Sequence, residues 1–504
     1  MTEHDARGAL SAGPAGPGGR RIVVVGNGMA GSRFVTEVRA RAPHASVTVF
    51  GLEARQPYNR VLLSSVLAGT AQPHQIGLVD PSWYAEHDID ARLGVAVTKI
   101  DRAAQVVVAA DGTTTPYDTL VLATGSAPLV PPIPGTEGGL PRGAVAFRTL
   151  DDCAGILEAA HTARHAVVIG GGLLGIEAAR GLAVRGLSVT VLHLAGHLME
   201  RQLDASAGKV LARTLAGLSI RVRVAARVAA LRTRGGPDGE RVIGVELAHD
   251  ERPAELLPAD LVVLACGVRP EVGLARAAGL AVERGVVVDE VLRSVTDPAI
   301  RAIGECAQYG DVVYGLVAPA WEQAKVLADL LSGCRPAARY TGSREITRLK
   351  AASVELATMG ETHHGSHDED VEVVQFADAA RGTYKKVVIR EDRLIGAILL
   401  GETSTAGTLT QLYDRAAPLP TDRLALLFHG LSAAPAADSP VRMPDGAEVC
   451  NCNNVTKGQI RACWEDGAKT VEEVTARTRA TTGCGTCADA VAGIVTWLAG
   501  QSPA

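Results

Sequence analysis

The chain reads as α/β, with two separate parallel-sheet units followed by a small α+β domain and a small helical module. Three observations predict this. Two short apolar strands, residues 21–25 and 166–169, run into Gly26-Asn27-Gly28-Met29-Ala30-Gly31 and Gly170-Gly171-Gly172-Leu173-Leu174-Gly175, and each turn opens a helical pattern. Beyond residue 335 the pattern changes to strand-like segments at 353–357, 371–376, 384–389 and 394–400, then helices. Near the C-terminus lie two close cysteine pairs, Cys450-x-Cys452 and Cys484-x-x-Cys487.

At 504 residues and 47% apolar, the chain has material for roughly three or four domains with cores of their own. A net charge of −5 leaves no basic footprint, so nucleic acid is not an expected partner. No apolar run reaches the roughly 18–20 residues of a membrane span, and the longest, near residues 261–268, reads as a buried strand. Residues 1–20 are rich in Gly, Ala and Pro without an apolar centre, which predicts a disordered tail and not a signal peptide. The expectation is a cytoplasmic protein whose nine cysteines are thiols or ligands and not disulfides.

Two glycine fingerprints in one chain predict two Rossmann-like dinucleotide-binding domains, the first from residues 21–149 and 284–335, the second from 150–283. In the first, Gly26, Gly28 and Gly31 serve a tight turn, close approach of a pyrophosphate and helix–strand packing. The next strand ends near Glu53, an acid for ribose hydroxyls, although Gly51 and Leu52 occupy the nearer positions. A buried strand at 119–123 ends at Thr124-Gly125 and a parallel copy at 260–265 ends at Cys266-Gly267, while prolines in 128–134 suit a crossover between domains.

In the second domain, Gly170, Gly172 and Gly175 repeat the arrangement. Glu177 is placed either to approach a nicotinamide or simply to suit a helix start. The strand at 188–192 ends at His193, where an acid would argue for NAD over NADP, and no arginine sits at that strand end either. His193 is as readily a surface residue as a ligand. Neither helix near the first fingerprint carries a C-x-x-C pair, so disulfide-reductase chemistry is not expected, and Cys153, Cys266, Cys306 and Cys334 read as small buried hydrophobes.

Residues 336–430 form the third domain and 431–446 a linker. His363, His364 and His367 beside Asp368 and Asp370 have metal-binding atoms but read as a solvated loop. Residues 447–504 are too few for a self-sufficient core, so a metal or cluster is physically expected there. Thr456/Gln459 and Thr470/Glu473 are capping boxes that start two of its helices. Cys484 and Cys487 open the last helix, where the dipole favours thiolates, and Cys463 reads as packing. Four cysteines, Cys450, Cys452, Cys484 and Cys487, accept zinc as well as a cluster, and a redox neighbour favours the cluster.

The segment Ile303-Gly304-Glu305-Cys306-Ala307 resembles the FAD-dependent pyridine-nucleotide reductases of the two-dinucleotide fold. That resemblance implies that Gly304 and Glu305 meet the ribityl chain of FAD, with Glu where most members have Asp. It also puts Tyr58-Asn59-Arg60 beside the flavin, with Arg60 stabilising its reduced form, and Glu322 or Gln323 near the ring. The cysteine spacing resembles the bacterioferritin-associated-ferredoxin type of 2Fe–2S domain. Tyr58-Asn59-Arg60 through Ser65, Leu198 through Asp204, Gly304 through Ala307 and Tyr314 through Pro319 resemble the N-terminal half of NAD(P)H nitrite reductase large subunits. The sirohaem half and its C-x5-C…C-x3-C set have no counterpart here. The resemblance therefore implies an NAD(P)H-dependent oxidoreductase passing electrons through FAD and a 2Fe–2S cluster to a nitrate or nitrite reductase catalytic subunit, or to another redox acceptor protein. A free-standing NAD(P)H:ferredoxin or rubredoxin reductase and a cluster-based sensor are the alternatives.

Overall fold

The computed structural model describes residues 20–236, 239–248, 253–351, 354–365, 367–428, 443–450, 455–481 and 487–501. The expected tail thus lies almost wholly outside the described residues. One parallel sheet has the order Ile300–Ala302, Thr119–Leu122, Arg21–Val25, Ser46–Gly51, Ile89–Leu93. A second repeats it with Ile220–Arg223, Ser188–Leu192, His165–Ile169, Leu261–Leu264 and Ala144–Ala146. In each, the strand feeding the glycine turn is central and covered on both faces: Val24 and Val168 are both 0% exposed. This is why those strands read as unbroken apolar runs. Helices Met29–Arg41 and Leu173–Val184 return the chain along the sheets. Each unit also carries a three-stranded antiparallel meander, Val97–Asp101 to Thr114–Pro116 in the first and Arg227–Gly236 to Glu255–Pro258 in the second.

Two boundaries differ from the expected ones. The strand Ala144–Ala146 pairs with Leu261–Leu264, so the second unit begins before residue 150. Val272, Ala275 and Leu280 are buried in the first unit's core, so the chain has returned to it before residue 284. Segments this short carry no periodicity to say which sheet they join; the partner strand decides. The crossovers themselves pair, Ser126–Pro128 antiparallel to Val268–Pro270.

The third domain is a five-stranded antiparallel sheet in the order Ile346–Ala351, Val354–Gly360, Arg393–Leu400, Thr383–Arg390, Glu372–Asp378, followed by helix Ala406–Arg415. Its first strand was not among the expected ones. Leu349, Leu356, Tyr384, Ile398 and Leu400 join the second unit's core, while Ala357, Met359, Val387 and Leu399 form a core of the domain's own with Leu409 of that helix. The cysteine module packs helices Lys457–Glu465, Val471–Thr478 and Ala488–Gln501 on a short hairpin, Glu448–Cys450 with Val455–Thr456. Both expected capping boxes form. Met443 packs on the module and Asp445 pairs with Arg461 at 2.7 Å, so the end of the expected linker belongs to the module. Residues 429–442 lie outside the described residues. Among the described residues no helix is long and apolar enough to cross a membrane.

Asp204 pins the third domain to the second. Its Oδ1 caps helix Ala205–Gly217 by accepting the Ala207 N–H at 2.9 Å, and its Oδ2 accepts the Tyr384 hydroxyl and the Lys386 ammonium, each at 2.8 Å. Burial opposes its ionisation, but the Ala207 N–H, Lys386 and Tyr384 together hold its carboxyl below the usual range. Lys386 is only 2% exposed. Asp204→Ala therefore removes a cap and strands a buried ammonium, and should lower stability by roughly 3–5 kcal/mol in chemical unfolding. A loss under about 1 kcal/mol would mean that Lys386 finds another counter-charge. Because the native carboxyl titrates low, the contribution is present above the unfolded pKa and disappears as pH falls through the native one.

Candidate functional site

The two glycine turns divide their labour in the same way. Gly26 and Gly170 sit at φ +115° and +119°, and a Cβ on either would fall 2.1 or 2.2 Å from the carbonyl oxygen of Ala123 or Ala265. On Gly31 or Gly175 it would fall 2.0 or 1.9 Å from the carbonyl oxygen of Gly26 or Gly170. Those four are glycine because protein backbone fills the space. Gly28 and Gly172 differ: nothing lies within 4 Å of a Cβ there, and the same holds for Gly125 and Gly267 on the neighbouring strand ends. Gly28 and Gly172 are also the N-caps of their helices, with no side chain covering the first N–H groups. Open backbone opposite a helix N-terminus is a cradle for phosphate oxygens. Thr124 stiffens the first cradle by donating its hydroxyl to the Glu271 carbonyl at 2.6 Å.

Around the first cradle the charged groups form one chain. Gly304, at φ +76° and with its Cβ position 2.8 Å from Ala30 Cβ, donates its N–H to Gln323 Oε1 at 2.7 Å. Next to it, Glu305 pairs with Arg148 and accepts the Ser126 hydroxyl at 2.7 Å; Arg148 also donates to Ser126 Oγ at 2.8 Å. Arg60 pairs with Glu53 and donates to the Arg148 carbonyl at 3.1 Å, with its guanidinium 5.1 Å over the Tyr58 ring. Tyr58 in turn donates to Glu53 at 2.7 Å. Glu53 and Arg60, assigned separate tasks from the sequence, are therefore partners, because the loop between them folds back and is zipped to residues 76–78 by Asn59 N–H to Ile76 O at 2.7 Å. Arg148 and Ser126 were missed: Ser126 opens a three-residue strand and Arg148 follows another, each a single polar residue without a motif to flag it. Of the two candidates on helix Val317–Ser332, Gln323 faces the glycine turn, while Glu322 accepts from Ser343.

Arg148 Nε, Asn27 Nδ2 and Trp321 Nε1 are buried donors with no acceptor among the described residues. Buried donors left over in this way fit an acceptor-rich ligand such as a dinucleotide.

In the second unit, Glu177 lies between its own helix and Leu63–Ala68, beside the Ser64 hydroxyl. Burial pushes its carboxyl up to about 7, with Ser64 acting against that. His193 is 8% exposed and is not a surface residue. Its Nδ1 accepts the Gly171 N–H at 3.1 Å, so Nε2 carries the proton and donates to Glu200 Oε2 at 2.9 Å. Met199 N–H to Gly171 O, 3.0 Å, folds the 198–204 segment over the glycine turn. The acid lacking at the strand end thus arrives from seven residues further on, where only a turn could bring it.

In the module, Cys450 and Cys487 are both buried, and Cys487 Sγ accepts the Thr481 N–H at 3.2 Å. A backbone donor aimed at sulfur suits a thiolate ligand. Cys452 and Cys484 lie outside the described residues. Cys487 also accepts the Val491 N–H at its carbonyl, at the start of the last helix. Of the isolated cysteines, Cys153 and Cys306 are buried as expected, but Cys266 is half-buried and Cys334 exposed. His364 is held by Glu361 and Asp368 at 2.8 and 2.9 Å, and no metal-holding group of three or more such residues occurs among the described residues.

Two parallel sheets with matched open cradles, joined by paired crossovers, define a two-dinucleotide flavoprotein. The chain belongs to the pyridine nucleotide-disulphide oxidoreductase family, whose model matches residues 20–324. Residues 346–416 match the C-terminal domain of rubredoxin NAD+ reductase, and 448–497 match the BFD-like 2Fe-2S binding domain. These matches give the cofactors as FAD, NAD(P)H and a 2Fe–2S cluster. The chain is 37% identical to an NAD(P)H nitrite reductase of Bacillus subtilis (strain 168) over 93% of its own length and 56% of that protein's. It is 35% identical to the assimilatory nitrate reductase electron transfer subunit of the same organism, over 95% of its length and 60% of that protein's. It therefore spans little more than half of these relatives. Among solved structures it resembles a covalent putidaredoxin reductase–putidaredoxin complex, with a TM-score of 0.70 and 26% identity over 79% of this chain and 94% of that one.

The raised carboxyl of Glu177 has a consequence for stability. The native group holds its proton to about 7 and the unfolded one only to its ordinary 4.5, so the stability present below 4.5 is lost as pH rises through 7. The Tm advantage of Glu177→Gln over the parent should accordingly grow from pH 5 to pH 8, by an amount on the order of 2–4 kcal/mol when expressed as stability. A pH-independent difference would contradict this burial.

Proposed function

We propose that this chain carries electrons from NADH through FAD and a 2Fe–2S cluster to a nitrate or nitrite reductase of nitrogen assimilation, as a cytoplasmic electron-transfer component. The observation that carries the reading is the joining, in one chain, of two open dinucleotide cradles to a cysteine module. Gly26, Gly28, Gly31, Thr124 and Gly125 would hold the FAD pyrophosphate at the helix N-terminus. Gly304 and Glu305, the latter fixed by Arg148 and Ser126, would meet its ribityl hydroxyls. Gly170, Gly172, Gly175 and Gly267 would seat the coenzyme, with Glu177 near the nicotinamide. Arg60 adds positive charge on the flavin side, tempered by Glu53. Cys450, Cys452, Cys484 and Cys487 would bind the cluster. Once bound, these groups supply hydride acceptance and one-electron carriage; the protein's part is to bind, orient and exclude water.

Glu200 supports NADH as the coenzyme. Held by His193 over the turn at Gly171, its carboxylate suits a ribose hydroxyl and repels a 2′-phosphate. Glu200→Gln should lower the NADH-to-NADPH ratio of kcat/KM by roughly tenfold. A parent protein that prefers NADPH would instead give the exposed Arg201 the role of phosphate ligand.

The match of residues 346–416 to a rubredoxin reductase domain favours a second reading, a free-standing ferredoxin or rubredoxin reductase. One experiment separates the two. Anaerobic NADH should bleach the flavin and cluster bands of the holoprotein, and a molybdenum nitrate reductase with nitrate should restore both. In Cys487→Ser the flavin should still bleach, while reoxidation by nitrate is lost. Reoxidation at the parent rate in that variant would sink the cluster's role. Recovery only with ferredoxin or rubredoxin would favour the second reading.

A further inference from the structure

The cysteine module reaches the first dinucleotide unit through a strained turn. Arg479, which ends helix Val471–Thr478, sits at φ +63°, and Thr481 sits at +70°. Left-handed backbone at a non-glycine residue costs about 1–2 kcal/mol, so two such residues in three positions are held there by their surroundings. The turn makes contacts in two directions. Inward, the Thr481 N–H donates to Cys487 Sγ. Outward, the Arg479 guanidinium donates to the carbonyl oxygens of Gly77 and, at 2.8 Å, of Gln75.

Those two carbonyls alternate with that of Ile76, which accepts the Asn59 N–H, while Leu78 N–H returns to Pro57 O at 2.8 Å. One edge of the 75–78 segment is thus zipped to the Tyr58–Arg60 loop and the other is gripped by Arg479. Asn59 and Ile76 are both 0% exposed, which makes the receiving edge rigid. A planar guanidinium spans the Gln75 and Gly77 carbonyls at the end of the 3-10 turn Pro73–Ile76; a lysine offers one point of contact.

We propose that Arg479 is the docking latch of the cysteine module, seating it on the 75–77 edge in the position where it is loaded from the flavin. The inference rests on the functional reading above. Each loading step moves one electron, oxidising the reduced flavin by one and reducing the cluster by one. Two steps, with the cluster handing its first electron to the acceptor protein in between, account for the hydride's electron pair and release its proton to solvent.

The test compares parent, Arg479→Ala and Arg479→Lys as full-length holoproteins. In stopped-flow with NADH, flavin reduction should be unchanged in all three, while cluster reduction slows about tenfold or more in the alanine variant and less in the lysine variant. Amide hydrogen exchange across residues 75–78 should rise in the same order, and the cluster's absorption and EPR signals should match the parent's. Unchanged cluster reduction in Arg479→Ala, with or without faster exchange, overturns the latch. If Arg479→Ala fails to hold its cluster, Arg479→Lys decides: parent-like cluster reduction and exchange there overturn the proposal. A parent whose flavin or cluster does not bleach with NADH would instead defeat the functional reading, and exchange at 75–78 would still report on docking.

Discussion

The contact on which the rest depends is the pressing of a glycine against a carbonyl, made twice. Gly26 lies against the Ala123 carbonyl and Gly170 against that of Ala265, with Gly31 and Gly175 closing over them. These approaches bring the helix N-terminus down to the sheet and leave Gly28, Gly125, Gly172 and Gly267 facing open space. Any side chain at Gly26 or Gly31 would push the helix off the sheet, and the row of free N–H groups would no longer converge. The binding surface is therefore made of backbone, and the packing behind it is what aims it.

Around the first cradle, charge is arranged as a neutral relay: Glu53, Arg60, the Arg148 carbonyl, Arg148, then Glu305 with Ser126. No member stands alone, which is what half-buried ions require. The relay also ties the loop after the second strand to the glycine turn at Gly304, regions far apart in the chain. Disturbing one pair would shift the others, so their effects on a bound cofactor should not be additive.

Each of the smaller domains carries a charged anchor set in apolar or backbone surroundings. The third sheet shares the core of the second unit and is keyed by Asp204 to Lys386 and Tyr384. The cysteine module has its own core, built on Ile460, Val474, Val491 and Ile494, and meets the flavoprotein through the turn at Arg479. The first attachment is buried and permanent in character. The second is a pair of hydrogen bonds to backbone, the kind of contact that can be made and broken.

The sequence by itself determined the elements whose signals are local. Glycine turns between strand and helix, the capping boxes at Thr456 and Thr470, the change of period after residue 335 and the cysteine spacing all follow from interactions a few residues long. Only the tertiary structure decided which sheet the strand Ala144–Ala146 joins, that Glu53 faces Arg60, that Arg148 and Ser126 flank Glu305, and that Glu200 stands behind a buried His193. The strand pairing and the Glu305 contacts depend on partners more than a hundred residues distant, and the two seven-residue pairs on loops pinned from elsewhere, by Ile76 and by Gly171. A polar side chain carries no local mark of the partner it will meet, because folding brings the two together only after both local structures have formed.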